Sequence, residues 1–254
     1  MANIDTVPPT ADITYSTTGA TNQSVTATLT GASESVTIVN NSGSFTHVFA
    51  ANGDFEFQFQ DAAGNTGAVT ATVANIDTVP PSASVEYSAV NLTNQDVTAT
   101  LTGASETLTG TLTHVFAANG TYALNFADLA GNTGAVTATV TNIDKASPAV
   151  SALRVSDIVQ TGATVSFDFS ESNFSGNSGS VIAYTGGIVS QVAEVGATSF
   201  SYSGSAGTGS SVFSHLDIET DYTYAVRVQD DAGNVGTSTG TFSTPNDVSS
   251  SYSG

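Results

Sequence analysis

The sequence predicts an all-β chain of more than one domain, and three observations predict it. Helix formers are scarce in 254 residues that carry 24 glycines, 10% charged side chains and much Thr, Ser, Val and Ala. Apolar residues alternate with polar ones over short runs, and turn signals separate the runs at the spacing of about 8–12 residues that marks sandwiches and barrels. Long stretches also recur, which reads as tandem units.

The repeats set the domain boundaries. NIDTVPP at 3–9 returns at 75–81, TNQSVTATLTGASE at 21–34 returns as TNQDVTATLTGASE at 93–106, and THVFAANG at 46–53 returns at 113–120. The offset is 72 residues up to Glu34 and 67 from Thr46 onward, so the second copy lacks five residues around NNSGS. A segment that tolerates such a loss belongs in a surface loop. A third NID, Asn142–Asp144, leads through Pro148 into a longer, divergent unit. The expected domains are 3–74, 75–141 and 142–244, with 245–254 a flexible tail or the start of a further linker.

Within each repeat the apolar residues alternate, as in SVTATLT, where Val25, Ala27 and Leu29 share one face and Thr26, Thr28 and Thr30 the other. DFEFQFQ follows the same period, with Phe55, Phe57 and Phe59 inward. Tyr122, Leu124 and Phe126 are the inward set expected in the second unit, and Tyr224, Val226 and Val228 in the third. An aromatic stripe at a spacing of two reads as core. The unit DAAGNTG at 61–67 then closes the pattern, and it returns as DLAGNTG at 128–134 and DDAGNVG at 230–236. Taken alone, it reads as an Asx-turn in which Gly64 and Asn65 adopt left-handed geometry. Metal ligation is the competing reading.

Charge and composition limit the partners. Acidic residues number 22 against Lys145, Arg154 and Arg227, for a formal net charge of −19. That surface repels nucleic acid, and the scattered carboxylates suit an extracellular or salty setting or await cations. There is no cysteine for a disulfide or a thiolate site. No apolar run approaches a membrane span, and the residues after Met1 do not read as a signal peptide, so a soluble piece of a longer protein is expected.

Repeats 1 and 2 resemble, almost end to end, the bacterial Ig-like repeats found in tandem in adhesins, S-layer-associated proteins and other large surface proteins. The likeness is carried by the TNQ-VTATLTGASE strand, the HVFAANG turn, DxAGNTG and the closing NID. The third unit resembles a fibronectin type III or related Ig-like domain. Leu216, Thr220 and Tyr222 match its tyrosine corner, although Ile218 stands where proline is usual and the chain has no tryptophan. The resemblance implies three tandem Ig-like or fibronectin III-like β-sandwiches in an elongated array.

In that topology the chain's entry, the loop after the second strand and the loop before the last strand share the N-terminal pole. Each unit is therefore expected to gather three acids there: Asp5, Glu34 and Asp61; Asp77, Glu106 and Asp128; Asp144, Glu171 and Asp230. Asn65, Asn132 and Asn234 are expected to add carbonyl oxygens. The few residues between Leu108 and His114 leave the strand path of the second unit, and so the pole of its last loop, open. An all-oxygen set without cysteine or clustered histidine favours Ca²⁺ over zinc or copper. Arrays of this family stiffened by Ca²⁺ at their junctions are also what the resemblance implies.

Catalysis is not expected. His47 and His114 occupy one position in two repeats, beside Val-Phe of a strand, and His215 has no recognisable Ser or Asp partner. The glycines lie in strand turns, not before a helix, so no phosphate loop is present. Lys145 is the only lysine and sits in a linker, which argues against a Lys–Asn crosslink. The expected function is a non-enzymatic stalk or array segment of a secreted or cell-surface protein, whose partners are neighbouring domains of a longer chain. Two alternatives stay open: a surface-glycan or host-protein binding module through domain 3 with its longer loop region 172–211, and a self-assembling subunit of an extracellular filament or sheath.

Overall fold

A computed structural model describes residues 4–174, 179–185, 191–196, 199–203 and 205–246. Its strands in the first repeat are β1 (Asp12–Tyr15), β2 (Val25–Thr30), β3 (Thr37–Ile38), β4 (Thr46–Phe49), β5 (Gly53–Gln60) and β6 (Thr66–Val73). The second repeat supplies β7 (Ser84–Tyr87), β8 (Val97–Thr102), β9 (Thr109–Gly110), β10 (Thr113–Phe116), β11 (Gly120–Ala127) and β12 (Thr133–Val140). The third unit supplies β13 (Ala149–Val159), β14 (Gly162–Ser170), β15 (Gly179–Thr185), β16 (Gln191–Gly196), β17 (Ser199–Ser203), β18 (Ala206–Ser214), β19 (Asp221–Gln229) and β20 (Val235–Ser243). The chain is all-β, and no helix among the described residues is long and apolar enough to cross a membrane.

Two compact units result. One comprises Met1–Glu86, Ala99–His114 and Thr121–Ala138, and the other Tyr87–Thr98, Val115–Gly120 and Thr139–Gly254. In the first, sheet β1-β2-β4 and sheet β3-β5-β6 supply a single core. Val25, Ala27, Phe57 and Phe59 are fully buried there because their strands alternate apolar and polar residues. In the second, sheets β13-β14-β18-β17 and β16-β15-β19-β20 enclose Val165, Phe167, Phe169, Tyr222, Tyr224, Val226 and Val228. The second repeat keeps the strand order of the first, β10-β8-β7 and β12-β11-β9. Its β9 is two residues long, as β3 is, and runs through Gly110 at φ +109° toward β10 without a counterpart of the Asn41–Gly43 turn, so the path between Leu108 and His114 is shorter although no strand is deleted.

The tyrosine corner is formed. Asp217 N donates to Tyr222 Oη at 2.8 Å, and the Tyr222 ring lies on Phe242 with centroids 5.4 Å apart. The segment NNSGS holds the 3-10 turn Asn41–Gly43, none of it buried, which explains how the second repeat dispenses with it. Two expectations need correction. Tyr122 is 38% exposed and stacks on His114 at 3.6 Å, whereas its counterpart Phe55 is partly buried beneath His47, so the phenol remains at the surface. Region 172–211 is not a long loop, because β15, β16, β17 and most of β18 run through it. Residues 175–178, 186–190, 197–198 and 204 of that region, and 247–254 of the expected tail, lie outside the described residues.

The linkers are tied to the repeats they leave. Ile76 forms a parallel bridge with Thr21, and Ile143 one with Thr93. Asn52 brackets Ile76 from both sides, accepting from Ile76 N at 2.8 Å and donating to Ile76 O at 2.9 Å. Asn119 does the same for Ile143 at 2.7 and 2.9 Å. Asn52→Ala would leave two partly buried main-chain groups unpaired, and is expected to destabilise the first unit by about 2–4 kcal/mol. Urea unfolding measures this; a midpoint equal to that of the parent chain would show that water replaces the amide.

Candidate metal centres

The DxAGN turn builds the pole from its own hydrogen bonds. Asp61 Oδ1 accepts from Asn65 N at 2.9 Å and Oδ2 from Asn65 Nδ2 at 2.7 Å, while Gly64 at φ +92° reverses the chain. Asp128 with Asn132 and Asp230 with Asn234 repeat the arrangement at 2.7–2.9 Å. Asn65, Asn132 and Asn234 do not take left-handed backbone geometry; only the glycine does. Nor do their amides act only within the turn. Nδ2 also donates to the main-chain oxygen of the incoming linker aspartate, Asp5 at 3.4 Å, Asp77 at 2.9 Å and Asp144 at 2.9 Å. The asparagine amides thus clamp turn to linker through Nδ2.

The linker aspartate is fixed as well. Asp5, Asp77 and Asp144 each accept from the backbone N–H two residues on, at 2.9–3.0 Å. The chain then passes a buried proline, Pro9, Pro81 or Pro148, whose carbonyl lies against the last glycine of the DxAGN unit, Gly67, Gly134 or Gly236. That close approach brings the start of each domain beside its last loop.

All nine acids chosen from the sequence are thereby grouped as expected. Asp5, Glu34 and Asp61 each offer an oxygen within 4.8 Å of the other two, and so do Asp77, Glu106 and Asp128, and Asp144, Glu171 and Asp230. Oxygens bound to one Ca²⁺ at about 2.3–2.6 Å lie at most about 4.6–5.2 Å apart, so the donor set and spacing fit a hard cation. Asp61, Asp128 and Asp230 are buried, and Glu171 with them, whereas Asp5 and Glu34 are exposed. The third pole carries extra donors: Glu171 Oε1 accepts from Ser172 N and Asn173 N, and Asp144 Oδ2 from Asn173 Nδ2 at 2.6 Å.

The carboxylates differ in how they hold a proton. Desolvation raises the pKa of Glu34, and repulsion by Asp61 and Asp5 adds to it. Glu106 is raised by desolvation, then by Asp128 and Asp77. Asp61 is lowered chiefly by the Asn65 amide. Asp128 feels desolvation most, yet donors from Asn132, Gly131 and Ala130 bring it below its ordinary value. In a chelator, stability should first rise as pH falls from neutral toward the ordinary glutamate range, because the folded chain then binds more protons than the unfolded one. Below the ordinary aspartate value the sign reverses, since Asp61 and Asp128 must be protonated against their hydrogen bonds. Urea midpoints across that range test this; a midpoint that only falls on acidification would contradict it.

The histidines have packing roles, His47 stacking on Phe55 at 3.8 Å and His114 on Tyr122, while His215 sits at φ +61° beside Ser214. Lys145 pairs with Asp96 at 2.6 Å. In the third unit an open depression of about 530 Å³ is lined by serines and Asp168, whose carboxylate is engaged by both terminal nitrogens of Arg154 at 3.1 and 3.2 Å. No protein-family model matches the chain, and no curated protein matches it either. The function is read from the geometry of the poles.

Proposed function

We propose that the chain is a non-enzymatic stalk or array segment of a secreted or cell-surface protein, made of tandem Ig-like and fibronectin III-like domains whose N-terminal poles bind Ca²⁺. The observation that carries the proposal is the threefold recurrence of one linker aspartate, one glutamate and one turn aspartate with oxygens inside 4.8 Å of one another. Three carboxylates at that distance repel by an amount comparable with the whole net stability of a small domain. A divalent cation removes the repulsion and makes the same residues a fastener between each linker and the domain it enters. The role is mechanical: the metal holds a chain segment, and no substrate is turned over.

Affinity should fall in the range of extracellular modules, about 10⁻⁴–10⁻³ M, because two of the acids at the first pole, Asp5 and Glu34, are exposed. Calcium titration by calorimetry is the test. Three sites are expected in the parent chain and two in a chain with Asp128→Asn and Glu106→Gln. Equal stoichiometry in both, or no binding at millimolar Ca²⁺, would overturn the reading.

A further inference from the structure

Asn-Ile-Asp occurs three times, and the three isoleucines are not alike. Ile76 is 9% exposed and Ile143 8%, whereas Ile4 is 82% exposed. The flanking valines show that the segments otherwise match, since Val7 and Val79 are 67% and 66% exposed. What separates Ile4 from its equivalents is a partner. Ile76 packs into the core of the repeat it leaves, is bracketed by Asn52, and is followed by Asp77, whose N–H donates to Thr21 O at 2.9 Å. Ile143 has Asn119, and Asp144 N donates to Thr93 O at 2.8 Å.

The DxAGN turn shows the same asymmetry. Asn22 N donates to Ala130 O at 3.0 Å, and the Asn22 amide lies 3.6 Å from where a Gly131 Cβ would stand. Asn94 stands 3.7 Å from the equivalent point of Gly233. Gly64 has nothing within 4 Å there, and Ala63 is exposed where Ala130 and Ala232 are partly covered. One apolar side chain and one turn edge are thus bare in the first repeat, and both are covered in the other two by Thr-Asn-Gln and by the asparagine of Ala-Ala-Asn-Gly.

We propose that Ile4, Asp5 and the Ala63–Gly64 edge form a docking surface for the C-terminal pole of another repeat of this type, one bearing Thr-Asn-Gln and Ala-Ala-Asn-Gly. Ile4 enters that repeat's core as Ile76 enters the core of the first repeat, an asparagine brackets its main chain, and the Thr-Asn-Gln loop covers Gly64. A second copy of this chain is not the occupant, because its two such poles already hold Ile76 and Ile143. The proposal rests on the array reading but not on calcium, since every contact it copies is apolar or a neutral hydrogen bond.

The absence of cysteine makes the test clean. Ile4→Cys in the full chain should react with a thiol reagent at the rate of an unstructured peptide, and Ile76→Cys at least tenfold more slowly. When a second copy of residues 3–74 is placed directly before residue 3, the label at position 4 should slow at least tenfold, in chelator as well as in Ca²⁺. Asn52→Ala in the added copy alone should restore most of the rate. A rate at position 4 unchanged by the added repeat overturns the proposal, as does protection that survives Asn52→Ala, or protection that appears in the unextended chain as its concentration rises. Fast labelling of Ile76→Cys would instead undo the array reading itself.

Discussion

Removal of Ca²⁺ is expected to lower the thermal midpoint of the first two repeats by roughly 10–20 °C. A ligand at a hundredfold excess over its Kd stabilises the folded state by about 2.7 kcal/mol, and about 1 kcal/mol moves the midpoint of a domain of this size by about 4–8 °C. The effect should be smaller at the third pole, where Ser172 and Asn173 already donate to Glu171 and Asp144. Melts in chelator and in millimolar Ca²⁺ measure it, and Asp128→Asn with Glu106→Gln should abolish the response of the second repeat while leaving that of the first. Glu106→Gln alone should melt higher than the parent in chelator, because it removes a like charge that no cation then offsets, whereas Asp128→Asn gives up the hydrogen bond that Asn132 Nδ2 donates to Asp128 Oδ2. Identical melts of the parent chain in both solutions would make the repeated aspartate a matter of turn chemistry alone.

The parts of the fold legible in the sequence were those with a strict period. Val25, Ala27, Phe57 and Phe59 alternate with polar neighbours and are all buried. The strands across 172–211 were not legible because glycine and serine between the short runs VIAY, VAEV and SFSYS read as loop signals, even though the backbone pairs regularly, as in Ser199↔Ser210 through Ser203↔Ala206. Tyr122 followed the period but not the burial, standing 38% exposed with its ring stacked on His114.

The acidic sites were legible for a different reason. Asp5, Glu34 and Asp61 are far apart in sequence, yet each belongs to a segment repeated as a block, and sandwich topology brings the three segments to one pole. The clamp made by the asparagines was not legible, because the main-chain oxygens that accept from Asn132 and Asn234 belong to residues 55 and 90 positions away. Asn52 and Asn119 were missed, although THVFAANG repeats them unchanged. Turn composition explained them too easily, and their partners Ile76 and Ile143 lie 24 residues away.

Gly236→Ala is expected to destabilise the third unit by about 3 kcal/mol, the upper end of the usual range for overpacking. A Cβ at that position would meet the carbonyl of Pro148, a buried main-chain atom that cannot swing aside as a flexible side chain would. Gly236 also pairs with Val228 across β19 and β20, so the strand is held from the other side. Gly233, three residues earlier, offers a contrast, because its nearest would-be contacts lie at 3.7 Å and only its φ of +91° opposes a side chain. Gly233→Ala should therefore destabilise by about 1–2 kcal/mol, the ordinary penalty for left-handed backbone. Gly53→Ala, with nothing within 4 Å, should change little. Urea unfolding ranks the three, with the slope constant while the midpoint moves. The Pro148–Gly236 approach also brings the entering chain beside the last loop, and with it Asp144 beside Asp230. Gly236→Ala should consequently weaken Ca²⁺ binding at the third pole while leaving the first two unchanged. A variant that loses stability but keeps full calcium affinity there would separate the close approach from the assembly of the site.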